Sequence, residues 1–210
     1  MAIRMKSSER RAAIVREAVR LFAGQGFRGT TTRQLAAALG VTEPVLYQHF
    51  PSKRDLYSAI IEAKTLEIAP GAGHLRELAA GSDDAAFFGA LGEMILRRYE
   101  EDPELSRLLF FSALERHELA DLFFERLYVG FYRLVTGYIR RRIRAGAFRR
   151  VNPEIAARGV IGMISYHGLI GILFPGKLAR PPRRRIVREM VSVFLKGIAS
   201  PAPLQTPARE

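Results

Sequence analysis

The stretch Thr31-Thr32-Arg33-Gln34-Leu35-Ala36-Ala37-Ala38-Leu39-Gly40-Val41-Thr42-Glu43-Pro44-Val45-Leu46-Tyr47-Gln48-His49-Phe50 decides how this chain is read. Thr31 and Gln34 have the spacing of a capping box: the threonine side chain serves the third amide of a helix, and the glutamine reaches back. Leu35, Ala38 and Leu39 form the inward face of that short helix, and Gly40 stops it in the left-handed conformation that glycine tolerates. Thr42 is placed to cap a second short helix from Glu43 to about Phe50. Pro44 falls in its first turn, where amides lack intrahelical partners anyway. Two helices joined by a glycine turn within 20 residues have the geometry of a helix-turn-helix.

A helix that enters the major groove must be short, anchored by a few apolar residues and polar elsewhere. Leu46 and Phe50, four apart, supply the anchor, directed at Leu21, Phe22 and Leu35. Glu43, Pro44, Val45 and Gln48 remain on or near the outer face. Glutamine can bond adenine through two hydrogen bonds, a glutamate can accept from cytosine, and Pro44 or Val45 can touch a thymine methyl. Thr31, Thr32, Arg33, Thr42, Tyr47, His49 and Lys53 are the expected contacts around those bases, most of them to phosphate. Upstream, a helix over about Ser8–Gly24 places Ile14, Ala18, Leu21 and Phe22 on one face. Residues 1–57 carry ten Lys or Arg against four acids, a balance of +6 in about a quarter of the chain. Arg4 and Lys6 precede the first helix and could reach DNA as an arm.

These residues resemble the DNA-binding domain of the TetR/AcrR family of bacterial regulators. The most specific part is Leu46-Tyr47-x-His49-Phe50-x-Ser52-Lys53-x-x-Leu56, and Ala18-x-x-Leu21-Phe22-Ala23-x-x-Gly26-Phe27 also matches. The strong resemblance covers residues 8–57. Pro44 departs from the commoner small residue near the start of the recognition helix, which touches base specificity rather than fold. The resemblance implies a C-terminal domain that dimerises through its last two long helices and often holds an effector pocket.

The remainder also reads as helical, without strand-type alternation or repeats. Ser52 is placed to cap a fourth helix. Pro70-Gly71-Ala72-Gly73 and Gly81-Ser82-Asp83 read as linker or kinked connections. Helices are expected at about Asp83–Glu101, Pro103–Arg116, Glu118–Ala145, Pro153–Phe174 and Pro182–Ala199. Asp102-Pro103-Glu104 and Asn152-Pro153-Glu154 are matching starts, with a cap, proline at the first position and an acid at the positive end of the dipole. The expectation is an all-α protein: a three-helix DNA-binding domain (1–57), a larger helical ligand-binding and dimerisation domain (58–200), and a disordered tail (201–210).

The helix from Pro153 carries Gly159, Gly162, Ser165, Gly168 and Gly171. Each glycine inside a helix costs up to about 1 kcal/mol relative to alanine, so the run needs a reason, and close approach of another helix supplies one. Gly162, Gly168, Gly171, Met190 and Phe194 are the expected dimer interface; twofold symmetry would suit paired half-sites on DNA. Tyr99, His117, Tyr128, Tyr166 and His167 are the expected polar groups of an effector pocket among many aromatic side chains, for an apolar or anionic effector. Two arginine clusters, Arg140 to Arg150 and Arg180 to Arg188, stand apart. The first closes a helix, where cations are favoured, and reads as a solvated face rather than a second DNA site; the second opens one, against the dipole, with salt bridges to a partner subunit or binding of an anion as its two open explanations.

Composition sets the bounds. The 210 residues are 48% hydrophobic and carry a formal charge of +12, favouring polyanion partners, double-stranded DNA first. The absence of cysteine removes disulfides, thiolate metal sites and cysteine nucleophiles. No signal peptide is expected, nor any run of 18 apolar residues, since Gly159 to Phe174 is shorter and holds Ser165, Tyr166 and His167. A cytoplasmic homodimer without cofactor, metal or membrane partner follows. The function expected is a ligand-released repressor. The alternatives are a ligand-independent architectural DNA binder and an all-helical enzyme; no metal-ligand spacing, phosphate loop or nucleophile elbow points to the latter.

Overall fold

The computed structural model describes residues 7–26, 28–177, 179 and 181–199. Among them the helices are α1 (Ser7–Gln25), α2 (Thr32–Ala38), α3 (Glu43–His49), α4 (Lys53–Ala80), α5 (Asp84–Glu101), α6 (Pro103–Leu114), α7 (Glu118–Phe123), α8 (Val129–Arg144), α9 (Pro153–Leu173) and α10 (Arg183–Ile198). The described residues contain no strand beyond one isolated bridge, Phe148 to Ala199. The all-α expectation therefore holds. Arg4, Lys6, Arg180 and the tail from residue 201 lie outside the described residues.

Two expected segments differ. The Pro70 to Gly73 stretch lies inside α4, which continues through Pro70. Proline removes one helical hydrogen bond; Leu66, Glu67, Ala69, Pro70 and Gly71 around it are exposed, and the buried side chains of α4 stand further off, Ile60 and Ile61 before it and Leu75 and Ala79 after. The segment expected as one helix over Glu118–Ala145 is divided by a π-helical turn, Phe124–Tyr128, between α7 and α8.

Packing divides the chain into two units, Met1–Ala72 with Arg97–Gly130, and Gly73–Leu96 with Phe131–Glu210. The first unit takes in helices on both sides of residue 57. The reason is the apolar core of the first unit. Ile14, Ala18, Leu21 and Phe22 of α1 share it with Leu35, Leu46 and Phe50, with Leu56, Tyr57, Ile60 and Ile61 of α4, and with Leu105, Leu108 and Leu119 of α6 and α7. Three short helices bury too little apolar area alone; the DNA-binding helices complete their core with later ones. Gly26, with φ of +71°, marks the approach: a Cβ there would meet the Glu115 carboxylate at 2.8 Å.

In the second unit, Phe87 of α5 stacks on Tyr138 of α8 with ring centroids 3.8 Å apart, while Phe88 meets Tyr138 and Phe194 edge-on. The Tyr138 hydroxyl donates to Asp84 Oδ1 (2.7 Å), and Arg142 forks onto the same carboxylate at 2.8 and 2.9 Å. Burial and then this hydrogen bond hold the Tyr138 pKa well above the ordinary phenol range. Val160, Ile161 and Ile164 of α9 and Ile186, Val187 and Val191 of α10 are among the buried residues of the same unit.

Candidate DNA interface

Local chemistry builds α2 and α3 as the sequence suggested. Gln34 N donates to Thr31 Oγ1 (3.2 Å) and Thr31 N donates to Gln34 Oε1 (2.8 Å), the two halves of a capping box. At the other end Val41 N reaches Ala36 O (3.0 Å) and Gly40 N reaches Ala37 O (3.1 Å). That paired return, with Gly40 at φ +62°, is a Schellman turn, and it aims the chain into α3. Thr42 occupies the N-cap of α3, but its side chain makes no capping hydrogen bond. Ser52 and Asp55 cap α4 reciprocally, Asp55 N donating to Ser52 Oγ at 3.2 Å.

The anchor is as expected: Leu46 and Phe50 are 2% exposed and belong to one cluster with Leu21, Phe22 and Leu35. The opposite face of α3 is open. Thr42, Pro44, Tyr47 and Gln48 are exposed, as are Thr31 and Arg33 at the start of α2, while Val45 and His49 are half-buried. Two residues carry roles inside the chain besides those expected of them. Glu43 accepts from Thr32 Oγ1 (2.8 Å), which ties the starts of α2 and α3 together. Lys53 donates to the Thr30 carbonyl (2.9 Å), fixing the start of α4 against the loop before α2.

Arg11 was not expected at this site. Its guanidinium donates to the His49 carbonyl (2.7 Å) and lies 4.2 Å from the Phe50 ring centroid. A cation at a helix C-terminus satisfies orphan carbonyls and complements the dipole, so α1 clamps the end of α3. The signal was present in the sequence: Arg11 stands one turn before Ile14 on the face that meets α3.

The expected pocket residues are distributed. Tyr99, His117 and Tyr128 belong to the first unit, Tyr166 and His167 to the second. His117 caps α7, its Nδ1 accepting from Leu119 N (3.2 Å), and its ring stands edge-on to Tyr57 at 5.1 Å. Burial is the first cause holding its pKa below the ordinary imidazole value. Tyr128 lies in the π-helical turn, stacked with Phe124. Tyr166 is 64% exposed on α9.

Of the expected dimer residues, Phe194 turns its ring to Phe88 at 4.9 Å within its own unit, and Met190 is half-buried. Gly168 and Gly171 are also half-buried. Gly162 and its neighbour Gly159 are exposed, and a Cβ on either would meet nothing within 4 Å. Packing within the chain therefore does not account for these two glycines. By length and composition α9 could cross a membrane: it has 21 residues and a mean hydropathy of 1.4 over 18 of them, with 28% of that window buried. The apolar run of α9 is broken by Ser165, Tyr166 and His167, and its hydropathy is high on average across them.

Comparison with known proteins agrees with this geometry. Residues 14–60 match the model of bacterial regulatory proteins of the tetR family, and residues 90–197 match that of the AefR-like transcriptional repressor C-terminal domain. The HTH-type transcriptional repressor KstR2 of Rhodococcus jostii is 26% identical over 92% of this chain and 93% of its own length. The nucleoid occlusion factor SlmA of Vibrio campbellii is 30% identical over 78% of this chain and 84% of its own. The structure of AibR in complex with isovaleryl coenzyme A and operator DNA superposes with a TM-score of 0.69 at 20% identity, covering 88% of this chain and 97% of that one. A family match over half the chain, a helix-turn-helix whose outer face is open and a helical remainder lead to one conclusion: the chain belongs to the TetR family of DNA-binding transcriptional regulators.

Proposed function

We propose that the protein is a homodimeric repressor that reads paired half-sites with α3 and leaves its operator when a small effector binds. The observation that carries this is the division of α3 into a buried face, Leu46 with the adjoining Phe50, and an open face with Pro44, Tyr47 and Gln48. Gln48 reads a base, Pro44 and Val45 supply apolar contact, and Tyr47 with Arg33, Thr31, Thr42 and Lys53 holds phosphates. Glu43 and Thr32, bonded to each other, orient the two helices, and Glu43 presents its carboxylate to the groove from that position. His49 lies between these roles, half-buried at the end of α3.

Dimerisation is supported by α9. Ile155, Gly159, Gly162, Tyr166 and Leu173 are all exposed and fall within about a sixth of a turn on one helical face. An apolar stripe with glycines at its centre suits a second copy of the same helix, whereas Gly168 and Gly171 fall on the opposite face of α9, with the buried Val160, Ile161 and Ile164. Effector response is supported by the packing of α6 on α1 inside one core, which gives the later helices a mechanical hold on the DNA-binding helices. Tyr99 and Tyr128, both of the first unit, are the polar groups we assign to an effector site. The AibR complex, which holds isovaleryl coenzyme A together with operator DNA, supports an effector with apolar and anionic parts.

Selection of bound genomic fragments, repeated with Gln48→Ala and Lys53→Ala, tests the reading. Gln48→Ala should relax preference at one base position by about 1–3 kcal/mol, and Lys53→Ala should weaken all sequences and flatten the salt dependence. Equal loss at every position for Gln48→Ala would sink the base assignment. Sedimentation of a monomer at micromolar concentration would sink the dimer.

A further inference from the structure

The cluster at the start of α10 divides in a way the sequence could not show. Arg183 pairs with Glu93 (2.7 Å) and Arg185 with Glu189 (2.8 Å). Arg184, Arg188 and Lys196 have no hydrogen-bond or ion-pair partner among the described residues. These three line one groove of about 520 Å³ between α5 and α10. The floor of that groove is apolar, from Val187, Val191 and Leu195, and Ala85 and Gly89 form the facing wall. At Gly92 the two helices nearly touch, since a Cβ there would sit 2.9 Å from Val187. One turn away, at Gly89, nothing lies within 4 Å of such a Cβ, and the helices part to open the groove.

Arg184 lies in the first turn of α10, against the helix dipole, in a turn with neither an acid nor a side-chain cap, and no ion pair among the described residues offsets that cost. The wall facing the apolar floor includes Ala85 and Gly89, whose small size leaves the groove unfilled. We infer that the α5–α10 groove docks an acidic amphipathic helix of a partner protein, its apolar stripe on Val187, Val191 and Leu195 and its carboxylates on Arg184, Arg188 and Lys196.

The spacing selects the occupant. From Arg184 to Lys196 the cations extend over about 18 Å of helix, so a small amphiphile with one anionic head would use only one end. Acids recurring each turn along a helix match cations at residues 184, 188 and 196. A nucleic acid backbone would leave the apolar floor facing phosphate and water. A second copy of this chain brings a charge of +12 towards the same sign. The exposed Val193, nine residues on from Arg184 and so half a turn round α10, points to the opposite flank; the groove stays open when that flank and α9 are covered.

The test is fluorescence anisotropy with a labelled 18-residue synthetic helix carrying leucines at three- and four-residue spacing flanked by glutamates, added to the full-length protein. Saturable binding is expected, weakened at least tenfold by Arg184→Glu with Arg188→Glu. Gly89→Leu, which keeps every charge and fills the groove from its α5 wall, should weaken it at least fivefold. Both variants should keep operator affinity and dimer mass. If the double variant does not fold, Lys196→Glu and Gly89→Leu carry the test. Unchanged binding to Gly89→Leu would overturn the proposal in favour of diffuse attraction, as would equal binding of the peptide with lysines for glutamates. Binding of dodecyl phosphate but not the peptide would assign the groove to a small amphiphile. Loss of non-operator duplex binding in the charge variants, with no peptide binding, would assign it to DNA. A monomeric Gly89→Leu would assign it to a second copy.

Discussion

The two arginine clusters carry nearly the same sequence texture and opposite physics. In the first, Arg142 forks onto Asp84 with both side chains mostly buried, and Arg141 donates to the Ala79 and Gly81 carbonyls. Arg149 donates to the Gly197 carbonyl (2.7 Å) and Arg140 reaches Glu154 at 3.5 Å. These cations close connections between helices of the second unit. In the second cluster two arginines are paired and two face an open groove. The difference lies in what each helix end meets: α8 ends among orphan carbonyls and the carboxylate that starts α5, whereas the α10 side chains at 184 and 188 meet an apolar trough. A run of like charge thus says little until the acceptors around it are known.

Replacing single residues should separate the clusters, with the largest effect in the first. Arg142→Ala should cost about 2–3 kcal/mol, because it strips a partly buried carboxylate of a forked partner; denaturant melts measure it, and a cost as small as that of Arg184→Ala would erase the contrast. Gly92→Ala should cost about 1 kcal/mol through the Val187 clash, while Gly89→Ala one turn earlier should be neutral or stabilising by up to about 1 kcal/mol. The same melts decide this, and equal effects at both positions would mean that α5 and α10 do not part where described. Arg149→Ala should lose about 1 kcal/mol for one exposed, charge-assisted hydrogen bond. Arg140→Ala should stay within about 0.5 kcal/mol, as exposed ion pairs at that distance do. Arg184→Ala and Arg188→Ala should be the mildest, neutral or stabilising by a few tenths of a kcal/mol through relief of the dipole conflict. A substantial loss of stability there would show that they hold the fold rather than a partner.

The candidate DNA interface was legible because its determinants are local. The Thr31–Gln34 box, the Gly40 turn and the Leu46–Phe50 spacing each act within one or two helical turns, and the structure keeps all three. The Thr42 side chain, expected to cap α3, does not, and Pro44 starts that helix without it. Arg11 stands one turn before Ile14, but what that turn meets depends on a tertiary contact with the end of α3, 38 residues away in the chain. α4 continues through Pro70 against local signals that favour a break, and the exposed residues around the proline supply no packing reason for it. The π-helical turn at Phe124–Tyr128 left no pattern that separates it from an ordinary helix. For His117, an expected pocket residue, the cap on α7 and the ring contact with Tyr57 leave no pattern in the sequence.

By itself the sequence determined an all-helical chain, the positions of its caps and most of its helices, and the short polar helix that marks a DNA reader. Those follow from periodicity and from groups that bond within a few residues. Only the tertiary structure decided which helices share the DNA reader's core, which of its polar residues are tied to one another, and which arginines are spent on carboxylates and carbonyls. These outcomes rest on contacts between residues tens of positions apart, whose free energies depend on burial and geometry that no local pattern carries.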